Sequence, residues 1–335
     1  MKTKKKAKFL LLISSFFFSL ILTELFLRLL NFEPWRYEKA YINNEIFFEA
    51  HNQLGWLSKQ GNYQLIINNN SNSKINFSIE EDSNRTTGSK DANKKNIIIV
   101  GGSFTQGWGI NDNETYPFLL QTALNNYNVY NYGQSGYGGF QSLLLTKNKI
   151  NKKKPTSLLI YGFIEHHEER NVAREKWLET LLKYSNKEQK IKIKVPYATL
   201  NKNTSLVYNK PIAYLQLPFR EKLALVNLIE KFYMKQLNRH RKKIQRKVAE
   251  QIFIELDTIA KENNAIFLVV NLHYSNKNNA NYYEEFLNKN NIHYIDCARN
   301  LSEKLLLEGD FHPNAKGHKM YSDCIKNYLD NKLFF

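Results

Sequence analysis

The stretch Ile97-Ile98-Ile99-Val100-Gly101-Gly102-Ser103-Phe104-Thr105-Gln106-Gly107 decides how the rest of the chain is read. Four consecutive β-branched residues ending in a glycine pair have the profile of a parallel strand buried on both faces. A serine directly after such a strand stands at the C-terminal edge of the sheet, where open α/β folds hold their ligands. The flanking glycines permit a sharp turn, and a helix starting there directs free N–H groups toward an oxyanion. A phosphate-binding loop is excluded, because it needs Lys and then Ser or Thr after the second glycine, and Trp108 follows Gly107.

Downstream the pattern alternates. The spacing predicts a helix over residues 116–125, a strand at 129–132, a helix over 140–150 and a strand at 158–161. Further strands are expected at 266–271 and 292–296, and a last helix over 316–329. Strands alternating with helices imply an α/β domain with a parallel sheet covered on both faces. About a hundred residues separate the third and fourth strands, more than one crossover helix requires. Residues 165–220 read as an irregular insertion and 221–262 as a long helix. On that helix Leu225, Ile229, Tyr233 and Leu237, then Ile244, Val248, Ile252 and Leu256, recur every four residues. The basic run at 239–247 reads as a solvated face, with contact to anionic lipid or polymer as the alternative.

Upstream, residues 31–95 carry no strong period. Leu54-Gly55-Trp56, the INNNSNS run at 67–73 and Gly88 suggest short strands and turns. Before them lies an uncharged run of fifteen residues, 9–23, continued as ELFLRLL to Leu30. The whole stretch of 22 reaches the roughly 20 residues that span hydrocarbon. Glu24 and Arg28 lie four apart and can pair on one side of a helix. Lys2, Lys4, Lys5, Lys6 and Lys8 hold the N-terminus in the cytoplasm and place the remainder across the membrane. No small-x-small cleavage signature follows, which favours a retained anchor over a cleaved secretory signal; both readings export the domain. The expected organisation is a cytoplasmic basic tail (1–8), a transmembrane signal-anchor (9–30), a β-containing lead-in packed on the domain (31–95) and the domain itself (96–335).

With 42% hydrophobic and 24% charged residues, the 335-residue chain is neither disordered, collagenous nor many-spanning. Lys and Arg number 48 against 31 Asp and Glu, a formal charge of +17. Part of this excess is topogenic. The remainder suits an anionic surface, and no nucleic-acid module accompanies it. Cys297 and Cys324 are too few for a disulfide scaffold or a four-cysteine zinc site; they form one bridge or stay two buried thiols.

Two further constellations bear on chemistry. After the second strand comes Asn131-Tyr132-Gly133-Gln134-Ser135-Gly136, where glycines let backbone approach a ligand and the Gly136 N–H can donate to an oxyanion. Before the last helix comes Asp310-Phe311-His312-Pro313-Asn314. In an extended segment residues i and i+2 point the same way, so Asp310 can orient the His312 ring as base for a distant serine. His166 and His167 with the nearby glutamates would be a metal site, but no HExxH spacing is present and none is expected.

These three ordered blocks resemble the SGNH (GDSL-type) hydrolases, and the resemblance covers about residues 50–335. It implies a flavodoxin-like three-layer sheet and a serine esterase or acyltransferase that needs no cofactor. By the same likeness Ser103 is the nucleophile, His312 the base, Asp310 its orienting partner, and the N–H groups of Ser103 and Gly136 the oxyanion donors. The N-terminal anchor and the Leu-Gly-Trp sequence look like membrane-tethered members. The expected partners are therefore the membrane, through the N-terminal helix, and an acylated glycan, lipid or small ester on the extracytoplasmic side. Two positions depart from the pattern. The aspartate that usually precedes the nucleophile is Gly102, and the third block places Ile164 where an oxyanion asparagine is usual. His167 and then Asn171 are the expected replacements for that asparagine. The competing reading is a weak or inactive SGNH-like binding module.

Overall fold

The computed structural model describes residues 2–37, 47–66, 74–153, 155–184 and 194–332. The INNNSNS run therefore lies outside the described residues. Helix α1 (Lys2–Leu29) carries the apolar run, and most of its large side chains are exposed. Two antiparallel hairpins follow, β1 (Phe48–His51) with β2 (Gly55–Ser58), and β3 (Gly61–Ile66) with β4 (Lys74–Ile79). The domain then runs β5 (Lys95–Gly101), α2 (Ser103–Gln106), α3 (Tyr116–Ala123), β6 (Tyr127–Gly133), α4 (Gly139–Lys149) and β7 (Thr156–Ile164). The segment expected to be irregular instead holds α5 (His167–Asn171), α6 (Glu175–Tyr184) and a hairpin of β8 (Val195–Leu200) and β9 (Leu206–Ile212). The chain ends with α7 (Ala224–Glu262), β10 (Ile266–His273), α8 (Lys277–Lys289), β11 (His293–Asp296) and α9 (Ala315–Asn331).

The five parallel strands stand in the order β11-β10-β7-β5-β6. Numbered by appearance this is 2-1-3-4-5, the flavodoxin-like order, with its switch point between β5 and β7. The strand read first from sequence, β5, lies inside the sheet between β6 and β7. Its alternation divides the core: Ile98 and Val100 join one layer with Phe140, Ile252, Phe253 and Leu256, while Ile97 and Ile99 face Leu120, Tyr321, Ile325 and Leu329. Helices α4, α7 and α8 thus cover one face, and α3 and α9 the other. The four apolar β5 side chains, Ile97 to Val100, are 0–1% exposed, as continuous apolar runs in parallel strands require.

Helix α8 escaped the sequence reading because KNNANYYEEFLNK carries little apolar contrast. It forms nonetheless: the Asn276 side chain caps it by accepting from Asn278 N–H, and Ala280, Tyr283 and Leu287 make a narrow buried stripe. Helix α7 splits its stripe between two environments. Val248, Ile252 and Leu256 are core, whereas Ile229, Tyr233 and Leu237 are about half exposed.

Glu24 and Arg28 pair at 2.7 Å, as their spacing predicts. The Glu24 carboxylate also accepts from the N–H groups of Ala224 and Leu225, each at 2.9 Å, so α1 caps the first turn of α7. Arg28 completes the joint by donating to the Lys222 carbonyl at 2.8 Å. Cys297 and Cys324 form a disulfide that ties the end of β11 to α9.

Candidate active site

Strand β5 delivers Ser103 to the first position of α2, at the sheet edge beside the switch point. The loop before α9 brings the histidine. His312 Nε2 lies 2.8 Å from Ser103 Oγ, across 209 residues of sequence, and His312 Nδ1 lies 2.6 Å from Asp310 Oδ1. An ionised carboxylate only accepts, so Nδ1 carries the proton and Nε2 is left to accept from the serine hydroxyl. Asp310 Oδ1 also accepts the His312 backbone N–H at 3.1 Å, which fixes the i, i+2 arrangement read from sequence. Burial pushes the Asp310 carboxyl up, but hydrogen bonds from His312 and Trp108 together outweigh it and hold its pKa below the ordinary value. The His312 ring packs against Phe104 at 5.3 Å and Trp108 at 6.1 Å. Asn314 anchors the loop, capping α9 through Lys316 and Gly317 N–H and donating to the carbonyls of Lys304 and Leu306.

The second block stands opposite. Gly136 has φ +84°, a left-handed conformation that favours glycine, and a Cβ there would lie 2.9 Å from Trp56 and 3.2 Å from Trp177. A buried polar chain ties this loop to α2, the helix that carries Ser103. Gln106 Oε1 accepts from Ser135 N–H (2.9 Å) and Oγ (2.6 Å), and its Nε2 donates to Ser58 Oγ (2.9 Å). Ser58 in turn donates to Gln134 Oε1 through both N–H (2.9 Å) and Oγ (2.7 Å).

The structure also accounts for Gly102. A Cβ at this position would lie 2.8 Å from His167 Nε2 and 3.4 Å from Arg170 Nη1. His167 occupies the space under the turn, with its Nδ1 bonded to Tyr161 OH at 2.6 Å. Burial first, then the Arg170 cation and His166, push its pKa well down, so the ring is neutral. Arg170 stacks on Trp177 at 4.4 Å and donates to the Tyr137 carbonyl at 3.1 Å.

His167 and Asn171, expected to replace the missing asparagine, are 0% and 1% exposed, and His167 Nε2 lies unpaired beneath Gly102. Asn171 is engaged elsewhere: its Oδ1 accepts Phe140 N–H at 2.9 Å in the first turn of α4. Ile164 packs in the core layer that holds Phe104 and Leu272. Sequence reasoning overlooked His273. Strand β10 continues two residues past its expected end, and this histidine pairs in register with Ile164. Its ring stacks on His166 at 6.2 Å and meets Phe104, the residue after Ser103, at 5.7 Å. Among the described residues no group of three His, Cys, Asp or Glu is placed to hold a metal ion.

No family model matches this sequence, and no curated protein does. Solved structures give loose likenesses. A G-D-S-L-family lipolytic protein from Veillonella parvula DSM 2008 is 12% identical, over 70% of this chain and 98% of that one, with a TM-score of 0.38. TesA is 10% identical over 71% and 99%, with a TM-score of 0.42. Est24, a carbohydrate acetylesterase from Sinorhizobium meliloti, is 9% identical over 71% and 99%, with a TM-score of 0.41. Superpositions this loose say nothing about the substrate of the present chain.

Proposed function

We propose that this chain is a serine esterase of SGNH type, tethered by α1, that acts through an acyl-enzyme on an O-acyl ester of a cell-envelope glycan or lipid. The Ser103–His312–Asp310 relay at the sheet edge carries this reading. Ser103 Oγ attacks the ester carbonyl while His312 Nε2 takes its proton, and Asp310 stabilises the imidazolium. The developing oxyanion is held by the N–H groups of Ser103, at the first position of α2, and of Gly136, in a partly exposed turn. His312 then returns the proton to the leaving alcohol. Water frees the acyl group, or a sugar hydroxyl takes it in the transferase variant. With His167 and Asn171 buried, the hole has two backbone donors, and His167 supports the nucleophile turn from below.

Fluorophosphonate labelling of the detergent-solubilised full chain tests this. Wild type should label, and Ser103→Ala should not. Unchanged labelling of Ser103→Ala would remove the nucleophile assignment, and a folded wild type that never labels would favour the binding-module reading.

An extracytoplasmic domain is supported by the five N-terminal lysines and by the Cys297–Cys324 bridge, since disulfides persist in oxidising compartments. Protease added to spheroplasts should degrade the domain while cytoplasmic proteins survive. A protected domain would reverse the assigned topology.

A further inference from the structure

We infer that the first half of α7, with the turn that precedes it, rests in the interface of an anionic phospholipid bilayer. This goes beyond the proposed chemistry and rests on the reading of α1 as a membrane span.

Depth comes first. The uncharged run of α1 is fifteen residues, about 22 Å of helix, which falls short of the roughly 30 Å of bilayer hydrocarbon. Glu24 and Arg28 therefore lie at the far boundary of the hydrocarbon rather than beyond it. Because the Glu24 carboxylate accepts from Ala224 and Leu225 N–H, the start of α7 is fixed at that same depth.

The surface found at that depth is apolar. Among the described residues beyond α1 and its exit, eleven large apolar side chains are exposed, and seven of them fall within residues 215–237. On α7 the buried residues Asn227, Glu230, Met234 and Asn238 face the body. Ile229 (51% exposed), Phe232 (64%), Tyr233 (49%) and Leu237 (52%) occupy the other side. A bare stripe of this kind marks a contact surface, and its place beside α1 names the contact. Charge agrees. Lys222 and Lys235 flank the stripe, and the outward face continues as exposed Lys243 and Lys247, suited to anionic headgroups.

The preceding turn adds an independent sign. Phe219 is 64% exposed and has φ +65°, a conformation uncommon for a bulky residue. Its neighbour Arg220 holds the turn there, stacked on Trp35 at 3.6 Å, paired with Glu230 at 3.0 Å and accepting Trp35 N–H through its carbonyl. Backbone strain that points a phenylalanine outward next to a membrane helix fits insertion among acyl chains.

The protein's two cysteines are paired, so one introduced cysteine in the full chain is a unique labelling site. Phe219→Cys and Phe232→Cys, each carrying an environment-sensitive fluorophore, are reconstituted in vesicles of phosphatidylglycerol and phosphatidylethanolamine containing two nitroxide lipids, one labelled near the headgroup and one deep in the acyl chain. Phe18→Cys in α1 and Val207→Cys on β9 serve as controls. Expected is quenching at 219 and 232 several-fold above that at 207, together with quenching at 18. If 18 is quenched while 219 and 232 match 207, the interfacial surface is overturned and the anchor stands. If 18 is not quenched either, both readings fall. Disulfide crosslinking of Phe232→Cys to a second copy, without lipid quenching, would assign the face to self-association and overturn the inference.

Discussion

Asp310 and His312 do different work, and their substitutions should separate. His312→Ala removes the proton acceptor, whereas Asp310→Asn keeps the ring but favours the wrong tautomer. Steady-state ester hydrolysis should fall by about 10⁴-fold for Asp310→Asn, and by at least that for His312→Ala. Normal turnover in either would discard the relay. Gly102 invites a sharper test, because it stands where the resemblance expects aspartate. Gly102→Asp should not improve the site: its Cβ would press on His167, which Tyr161 holds from the other side. Overpacking of this kind costs about 1–3 kcal/mol. Thermal stability should fall in Gly102→Asp and partly recover in Gly102→Asp with His167→Ala. Additive losses would show that the two residues do not share the space.

At the scale of elements, α2 is a four-residue helix whose two ends serve different partners: Ser103 meets His312 and Gln106 grips Ser135. Gln106→Ala should therefore lower kcat with little change in KM, since Gly136 loses its anchored neighbour while the substrate-binding surface stays. A wild-type kcat would separate this network from catalysis. Much of this site was legible because strand, turn and D-x-H signals are local patterns that survive without a partner in view. The cause of Gly102 was not legible, because the obstructing ring lies 65 residues downstream and only the β5–β7 pairing brings it underneath. Helix α7 was legible as a helix, but the surroundings of its two halves were not, for a related reason. A four-residue apolar spacing reveals a stripe, and what covers the stripe depends on the tertiary neighbours of each half.

At the scale of the whole molecule, the loop before β5 is tied to the layer covering the sheet. Asp82 pairs with Lys149 and with Lys153 (3.0 Å) and accepts from Tyr132 OH. Burial alone would raise its pKa, but Lys149, Tyr132 and Lys153 outweigh it and lower the value from 3.8 to about 2. A depressed carboxylate stabilises the fold above its unfolded pKa and loses that contribution as pH falls through the folded one. The window here runs from about pH 4 down to 2, and the contribution near neutrality is about 2 kcal/mol. Asp82→Asn should thus unfold earlier than wild type at pH 7, with the gap closing toward pH 2. A gap independent of pH would place its origin in packing instead of charge.

The Cys297–Cys324 bridge closes a loop of sequence separation 27, with Asp310 and His312 near its midpoint. Closing a loop of that length removes about 3–4 kcal/mol of configurational freedom from the unfolded chain. The crosslink thus brackets the two residues proposed to serve Ser103. Reduction should therefore loosen this segment first, with local opening preceding global unfolding. A thiol-rich compartment would then take away the proposed base before it took away the fold. On the proposed mechanism, oxidation is part of assembling the catalyst.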